Sequence, residues 1–132
     1  MSGRQRISSG SPFEATVGYC RAVVVDDRVL VAGTAPQSPD GTVDPDVGQQ
    51  ARRCFEIIAG ALAEAGSSLA DVVRTRVYLV DASDFDAVAA VHGELFGDVR
   101  PVNTTLVVAA LLNPAWRLEV EVEAIRGSAA PL

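Results

Sequence analysis

Leu118-Glu119-Val120-Glu121-Val122-Glu123-Ala124-Ile125 decides how this chain is read. Apolar and acidic residues alternate along it, the period of two that sends successive side chains to opposite faces of a strand. Leu118, Val120, Val122 and Ala124 form one face, and Glu119, Glu121 and Glu123 the other. A second stretch has the complementary pattern: Val73, Thr75, Val77 and Leu79 alternate with Arg74, Arg76 and Tyr78, which predicts a strand from Val72 to Val80. If the two strands are neighbours, arginines stand opposite glutamates, each pair worth about 0.2–1 kcal/mol. Two readings of that charged face stay open. It is a solvated, ion-paired surface, or it packs on a partner subunit with a carboxylate left facing a cleft.

Working outward, Ala22-Val23-Val24-Val25 and Val29-Leu30-Val31-Ala32 flank Asp26-Asp27-Arg28 and read as a hairpin. Gly33, Pro36, Pro39, Asp40 and Gly41 follow as a turn-rich loop. Asp44-Pro45 opens a helix, since Asp accepts from free backbone donors and Pro tolerates the first helical position. Val47, Ala51, Phe55, Ile58, Leu62 and Ala65 make one apolar stripe in it, and Gly66 closes it in a left-handed conformation. Ser83 is the expected cap of a second helix in which Phe85, Val88, His92 and Leu95 share a face, ending near Gly97. Thr104 to Leu111 reads as a buried strand. The expected class is α+β, a ββαβαββ mixed sheet with two helices on one face.

The length of 132 residues fits one domain, 1–132, with loose ends at about 1–10 and 127–132 where Ser, Gly and Ala dominate. The net charge is −6 and all 11 basic residues are arginines, so the chain has no lysine. Phosphate binding is driven by Lys and Arg displacing counterions. With arginines scattered and only Arg52-Arg53 adjacent, no nucleic-acid partner is expected. No apolar run approaches the roughly 20 residues of a membrane span, so no membrane partner is expected. No apolar stretch follows Met1-Ser2-Gly3-Arg4-Gln5-Arg6, so a cytoplasmic setting is expected rather than secretion. Cys20 and Cys54 form neither a disulfide framework nor a CxxC pair and read as small buried residues.

Catalytic hardware is sparse. His92, the single histidine, lies on the apolar side of its helix and reads as a packed residue. It has no neighbouring metal-ligand cluster, and no phosphate-binding or nucleophile-elbow motif occurs, so no metal and no cofactor is expected. The glutamates at 119, 121 and 123 can supply a general acid or base, although alternating Glu usually marks a wet face. Tyr19, ahead of the hairpin, can lean over a pocket or merely fill space.

The stretch Arg100-Pro101-Val102-Asn103-Thr104-Thr105-Leu106-Val107-Val108-Ala109-Ala110-Leu111, followed by 118–125, resembles the C-terminal pattern of the Rid (reactive intermediate deaminase, YjgF) family. Val31-Ala32-Gly33-Thr34-Ala35-Pro36, Gln50-Ala51-Arg52-Arg53 and the run from Ala65 to Thr75 resemble earlier family segments in the same order, so the likeness covers about Ile7 to Arg126. It implies a chorismate-mutase-like fold and a homotrimer with small-molecule clefts between subunits. It also implies cofactor-free hydrolysis of imines or enamines such as 2-aminoacrylate. In deaminating members an arginine grips the substrate carboxylate, which a planar guanidinium fork suits. A glutamate manages the attacking water by acid–base work.

On that resemblance Tyr19 and Glu121 match the family's cleft tyrosine and glutamate, and are the expected catalytic residues. Asn103 stands where the arginine would be, Ala32 replaces a common serine before Gly33, and Thr105 replaces a common cysteine. Asn103, Thr104, Thr105, Ala32 and Gly33 are the expected ligand-binding residues. The segment Leu112 to Arg117 is longer than usual in the family, and Arg100 is the one nearby guanidinium able to replace the missing one. The expectation is an imine or enamine hydrolase lineage with weak or absent 2-aminoacrylate deamination. The alternatives are a non-catalytic metabolite-binding trimer and, against the acidic charge, a ribonuclease, which the family's older name (endoribonuclease L-PSP) carries.

Overall fold

Six strands and two principal helices alternate in the computed structural model, which describes residues 3–129. They are β1 (Gln5–Ile7), β2 (Ala22–Val25), β3 (Arg28–Thr34), α1 (Val47–Glu64), β4 (Val72–Leu79), α2 (Phe85–Phe96), β5 (Val102–Val107) and β6 (Leu118–Ile125). The sheet order is β1-β2-β3-β6-β4-β5, with every neighbour antiparallel except the β4–β5 pair. The α+β class, the mixed sheet and the helices on one side are as the alternation predicts. Strands β3 and β4, joined by α1, run the same way on either side of β6. Among the described residues, no helix is long and apolar enough to cross a membrane.

Strand β6 splits its side chains between two environments. Leu118, Val120, Val122 and Ala124 are buried under the helices. The stripe of α1 meets them: Val47, Ala51, Phe55, Ile58, Leu62 and Ala65 all belong to the same core. Cys54 is buried too, its thiol pushed up to about 12 by desolvation. On the far face Arg74 stands opposite Glu123, Arg76 opposite Glu121 and Tyr78 opposite Glu119, the arrangement expected if the two strands were neighbours.

Several expectations need correction. The N-terminal stretch expected to be loose contains β1, which pairs with β2 and buries Ile7. The three-residue strand is too short to show an alternation. At the other end, the backbone N–H groups of Gly127 and Ala129 donate to Asp71; residues 1, 2 and 130–132 lie outside the described residues. The cap of α1 is Asp46, which accepts from Gln49 N at 2.9 Å, while Asp44 accepts from Asp46 N and shapes the approach. Asp81 rather than Ser83 organises the start of the second helix. Its carboxylate accepts from Ser83 N and Oγ at 2.9 and 2.7 Å, folding 82–84 into a tight turn ahead of Phe85. Gly66 does close α1 at φ 77°, with Ser67 N donating to Leu62 O at 2.8 Å.

The largest departure is β5. Its apolar run predicts burial from Thr104 to Leu111, yet the strand is Val102–Val107 and forms a sheet edge. Val102, Leu106 and Val107 are 61%, 50% and 56% exposed. A continuous apolar run signals cover on both faces, and one chain does not provide it.

The long segment before β6 is held by Gln50, a buried amide on α1. Its Nε2 donates to Asp44 O and Ala115 O at 2.8 and 3.0 Å, and its Oε1 accepts from Arg117 N at 2.8 Å. Arg117 continues the clamp to Asp84 and Pro45 O. Replacing Gln50 by leucine keeps the size but strands buried backbone groups, each worth about 1–3 kcal/mol. Urea unfolding of Gln50→Leu is expected to show a loss of at least about 2 kcal/mol. An unchanged midpoint would mean that the amide holds nothing.

Candidate functional site

The regular pairing of β3 with β6 breaks between Val31 and Thr34. Arg21 fixes the irregular turn. Its Nη2 donates to Ala32 O, Gly33 O and Thr34 Oγ1 at 2.6, 2.9 and 2.8 Å. Gly33 leaves room for a close approach: a Cβ on it would stand 2.6 Å from Glu119 Oε1, so a larger residue would move that flexible carboxylate off the backbone.

The three β6 glutamates have different surroundings. Glu123 pairs with Arg28, whose Nε lies at 3.1 Å, and with Arg74 at 3.8 Å. Glu121 accepts from the Tyr78 hydroxyl and lies 3.9 Å from Arg76 Nη1. Hydrogen bonding to Glu121 and then burial push the Tyr78 phenol up. Glu119 is half-buried, and burial pushes its carboxyl up against the smaller opposing pull of Arg21. Exposed pairs of this kind add little to stability, so their interest is in the charge they place on the open face.

Tyr19, Ala32 and Glu121 line a hollow of about 640 Å³ on that face, with Arg6 and Leu30 among its other walls. Tyr19 is delivered by the wide helical turn Glu14–Gly18, closed by Tyr19 N donating to Glu14 O at 3.1 Å, with Gly18 at φ 88°. Its hydroxyl donates to Ser11 Oγ at 3.4 Å. An adjoining hollow of about 290 Å³ is lined by Gly33, Tyr78, Val108, Glu119 and Glu121 among others. Four of the expected site residues, Tyr19, Ala32, Gly33 and Glu121, thus gather around two hollows that share Glu121.

Asn103 and Thr105 are elsewhere. Asn103 pairs with Thr75 and Thr105 with Val77, residues whose side chains face the helices, whereas Thr104 pairs with Arg76 on the open face. Asn103 Nδ2 donates to Thr75 Oγ1 at 3.0 Å, and Thr105 Oγ1 donates to Asn103 Oδ1 at 3.0 Å. The Thr75 hydroxyl, which accepts from Asn103, also shares a hydrogen bond with His92 Nε2, 2.9 Å away. Burial holds His92 below its ordinary pKa, and its ring packs edge-on against Phe55. Asn103, Thr105 and His92 line a hollow of about 190 Å³ with Phe85, Val88 and Ala89, and the lining holds no carboxylate or guanidinium. Arg100 does not join them. At φ 53°, it turns back so that its Nε donates to Gly97 O at 3.1 Å.

Within one chain, then, the expected site residues form two groups on opposite sides of the sheet. The structure adds Thr75, Tyr78, His92 and Glu119 to the polar groups that line or support these hollows. Thr75 and His92 join through the β4–β5 register, which no single stretch of sequence displays. The signal for Glu119 was present, since it lies opposite Tyr78 on the strand that carries Glu121.

Residues 9–126 match the model of the family described as Endoribonuclease L-PSP. A protein of Streptomyces coelicolor, named only as uncharacterised, is 44% identical over 94% of this chain and 93% of its own length. The human 2-iminobutanoate/2-iminopropanoate deaminase is 29% identical over 93% of this chain and 91% of its own. A crystal structure from Mycobacterium tuberculosis, of a member of the YjgF/YER057c/UK114 family, superposes with a TM-score of 0.85 at 43% identity. That match covers 93% of this chain and 99% of the other. The chain therefore belongs to the endoribonuclease L-PSP family, the Rid/YjgF proteins.

Proposed function

We propose that the protein is a cofactor-free imine or enamine hydrolase in lineage, assembled as a homotrimer, whose cleft has lost the carboxylate grip of the 2-aminoacrylate deaminases. The observation that carries this reading is the state of Asn103. Its amide is committed to Thr75 and Thr105 in a pocket whose polar groups are all neutral. A 2-imino acid brought there meets no guanidinium. Glu121 and Tyr19 remain beside a shared hollow. There Glu121 takes a proton from water as the water adds to the C=N carbon and passes it to the nitrogen; as the C–N bond breaks, the new hydroxyl gives up its proton to leave a carbonyl compound and ammonia. The locked amide supports a second reading, a metabolite-binding trimer without turnover, while a net charge of −6 weighs against ribonuclease activity.

The separation of the two residue groups within one chain supports a cleft completed between subunits, with the apolar edge strand β5 as the surface that a second chain covers. The solution setting is taken as cytoplasmic.

Loss of a bidentate charged contact costs about 2–5 kcal/mol, roughly 30-fold or more in affinity. Pyruvate release from enzymatically generated 2-aminoacrylate should accordingly be weak in the unmodified protein and rise in Asn103→Arg. Robust release by the unmodified protein would overturn the reading, and silence in both would favour the binder. Sedimentation should give a trimer for the unmodified chain and smaller species for Leu106→Glu; a monomeric parent removes the cleft altogether. The neutrality of the pocket is testable by pH. Because His92 is depressed in the folded state, the unfolded chain holds its proton at higher pH. The His92 contribution to stability is thus full above about pH 6.5 and is lost as the pH falls toward the folded value. Relative to His92→Gln, the unmodified protein should lose stability between about pH 7.5 and 5.5. A gain over that range would mean that the imidazole is charged.

A further inference from the structure

Of the three carboxylates on the open face of β6, two already have their counter-charge. Glu123 has Arg28 and Arg74, and Glu121 has Arg76 together with the Tyr78 hydroxyl. Among the described residues Glu119 has no cation within 4.0 Å and accepts no side-chain hydrogen bond. Arg21 is near enough to pull it down; its Nη2 donates to the carbonyls of Ala32 and Gly33 and to Thr34 Oγ1, while its buried Nε has no partner and makes no hydrogen bond to Glu119. The Glu119 carboxylate is seated against Gly33, where any Cβ would displace it. It lines a hollow of about 290 Å³ together with the polar Tyr78 and Glu121 and the apolar Val108, Ala110 and Leu111.

A half-buried carboxylate is costly unless it is paired, and this one has walls around it sized for a small molecule. Resting on the cleft reading above and extending it to substrate class, we infer that this hollow takes a small organic cation on an apolar body, a protonated imine or amine without a carboxylate. Its N–H bonds to Glu119, and its hydrocarbon part lies on Val108, Ala110 and Leu111. The Tyr78–Glu121 pair adds to the polar lining. A ligand carboxylate is disfavoured by repulsion from Glu119 and Glu121. An adjacent carboxylate also favours the protonated form of an imine, the form water attacks most readily. Burial pushes the Glu119 carboxyl up, the direction expected of a group whose counter-charge lies outside the chain.

The test is calorimetric titration of the full-length protein at neutral pH with three ring compounds of similar size. Pyrrolidine is a cation, cyclopentanol is neutral, and proline carries the added carboxylate. Pyrrolidine is expected to bind, with proline and cyclopentanol each weaker by about tenfold or more. Glu119→Gln should weaken pyrrolidine by a similar factor. So should Gly33→Ala, which keeps the charge but moves it, while Glu123→Gln leaves the affinity unchanged; thermal melting confirms that each variant is folded. Equal affinity for proline, indifference to Glu119→Gln, or no pyrrolidine binding would each overturn the inference. The readout needs no turnover. A protein silent in the hydrolysis assay that still selects pyrrolidine through Glu119 loses the enzymatic reading and keeps this one. A protein that hydrolyses imines without that selectivity does the reverse.

Discussion

Everything in this molecule is referred to the insertion of β6 between β3 and β4. The last strand in sequence is the central strand in space, and its neighbours on both sides run antiparallel to it. Because the side-chain period is two, a slip of one residue would turn Leu118, Val120, Val122 and Ala124 toward solvent and drive three glutamates beneath the helices. Three unpaired carboxyls buried there, each costing several kcal/mol, would consume a stability margin of about 5–15 kcal/mol. The register is therefore fixed by the core. It dictates in turn that Arg74 and Arg76 meet Glu123 and Glu121, and that Tyr78 and Glu119 face the same open hollow.

The same frame explains why the candidate site is divided. The open face is carried mainly by side chains of β3, β4 and β6, with Thr104 of β5 beside Arg76. Asn103 and Thr105 sit on β5, but their partners in register, Thr75 and Val77, look toward the helices. A single chain has no means of bringing Asn103 to Glu121, because the sheet itself lies between them. What it does have is an edge strand whose apolar residues remain uncovered, so that exposure and an incomplete site point to the same remedy, another copy of the chain.

How much of this was legible in the sequence depended on whether the signal was local. The stripe of α1 is local and strong, and each of its six residues lies in the core. The Arg/Glu face was legible because both alternations are long and complementary. The start of α1 was misplaced by two residues because Asp44 and Asp46 both make capping-type bonds and only backbone geometry ranks them. Strand β1 was missed because three residues carry no period, and it exists through pairing with β2. Strand β5 was read as buried because its composition reflects surroundings that the isolated chain lacks. Glu119 was passed over in favour of Glu121 because the resemblance pointed to one glutamate, while the difference between them arises from the Arg21-held turn at Gly33.

The asparagine at 103 is embedded in a local arrangement that a guanidinium would not reproduce. Asn103 offers Thr75 a donor and Thr105 an acceptor at once. Arginine has donors only, so it could satisfy Thr75 but would leave the Thr105 hydroxyl without its acceptor. A cation close to Thr75 would also stand near His92, whose protonation burial already disfavours. Thr75, His92 and Thr105 are thus matched to a neutral amide, and the charge that distinguishes this protein's open face is carried instead by β6. The edge strand thus turns neutral polar groups toward the helices, while the central strand holds on the open face a carboxylate, Glu119, that has no ion pair among the described residues.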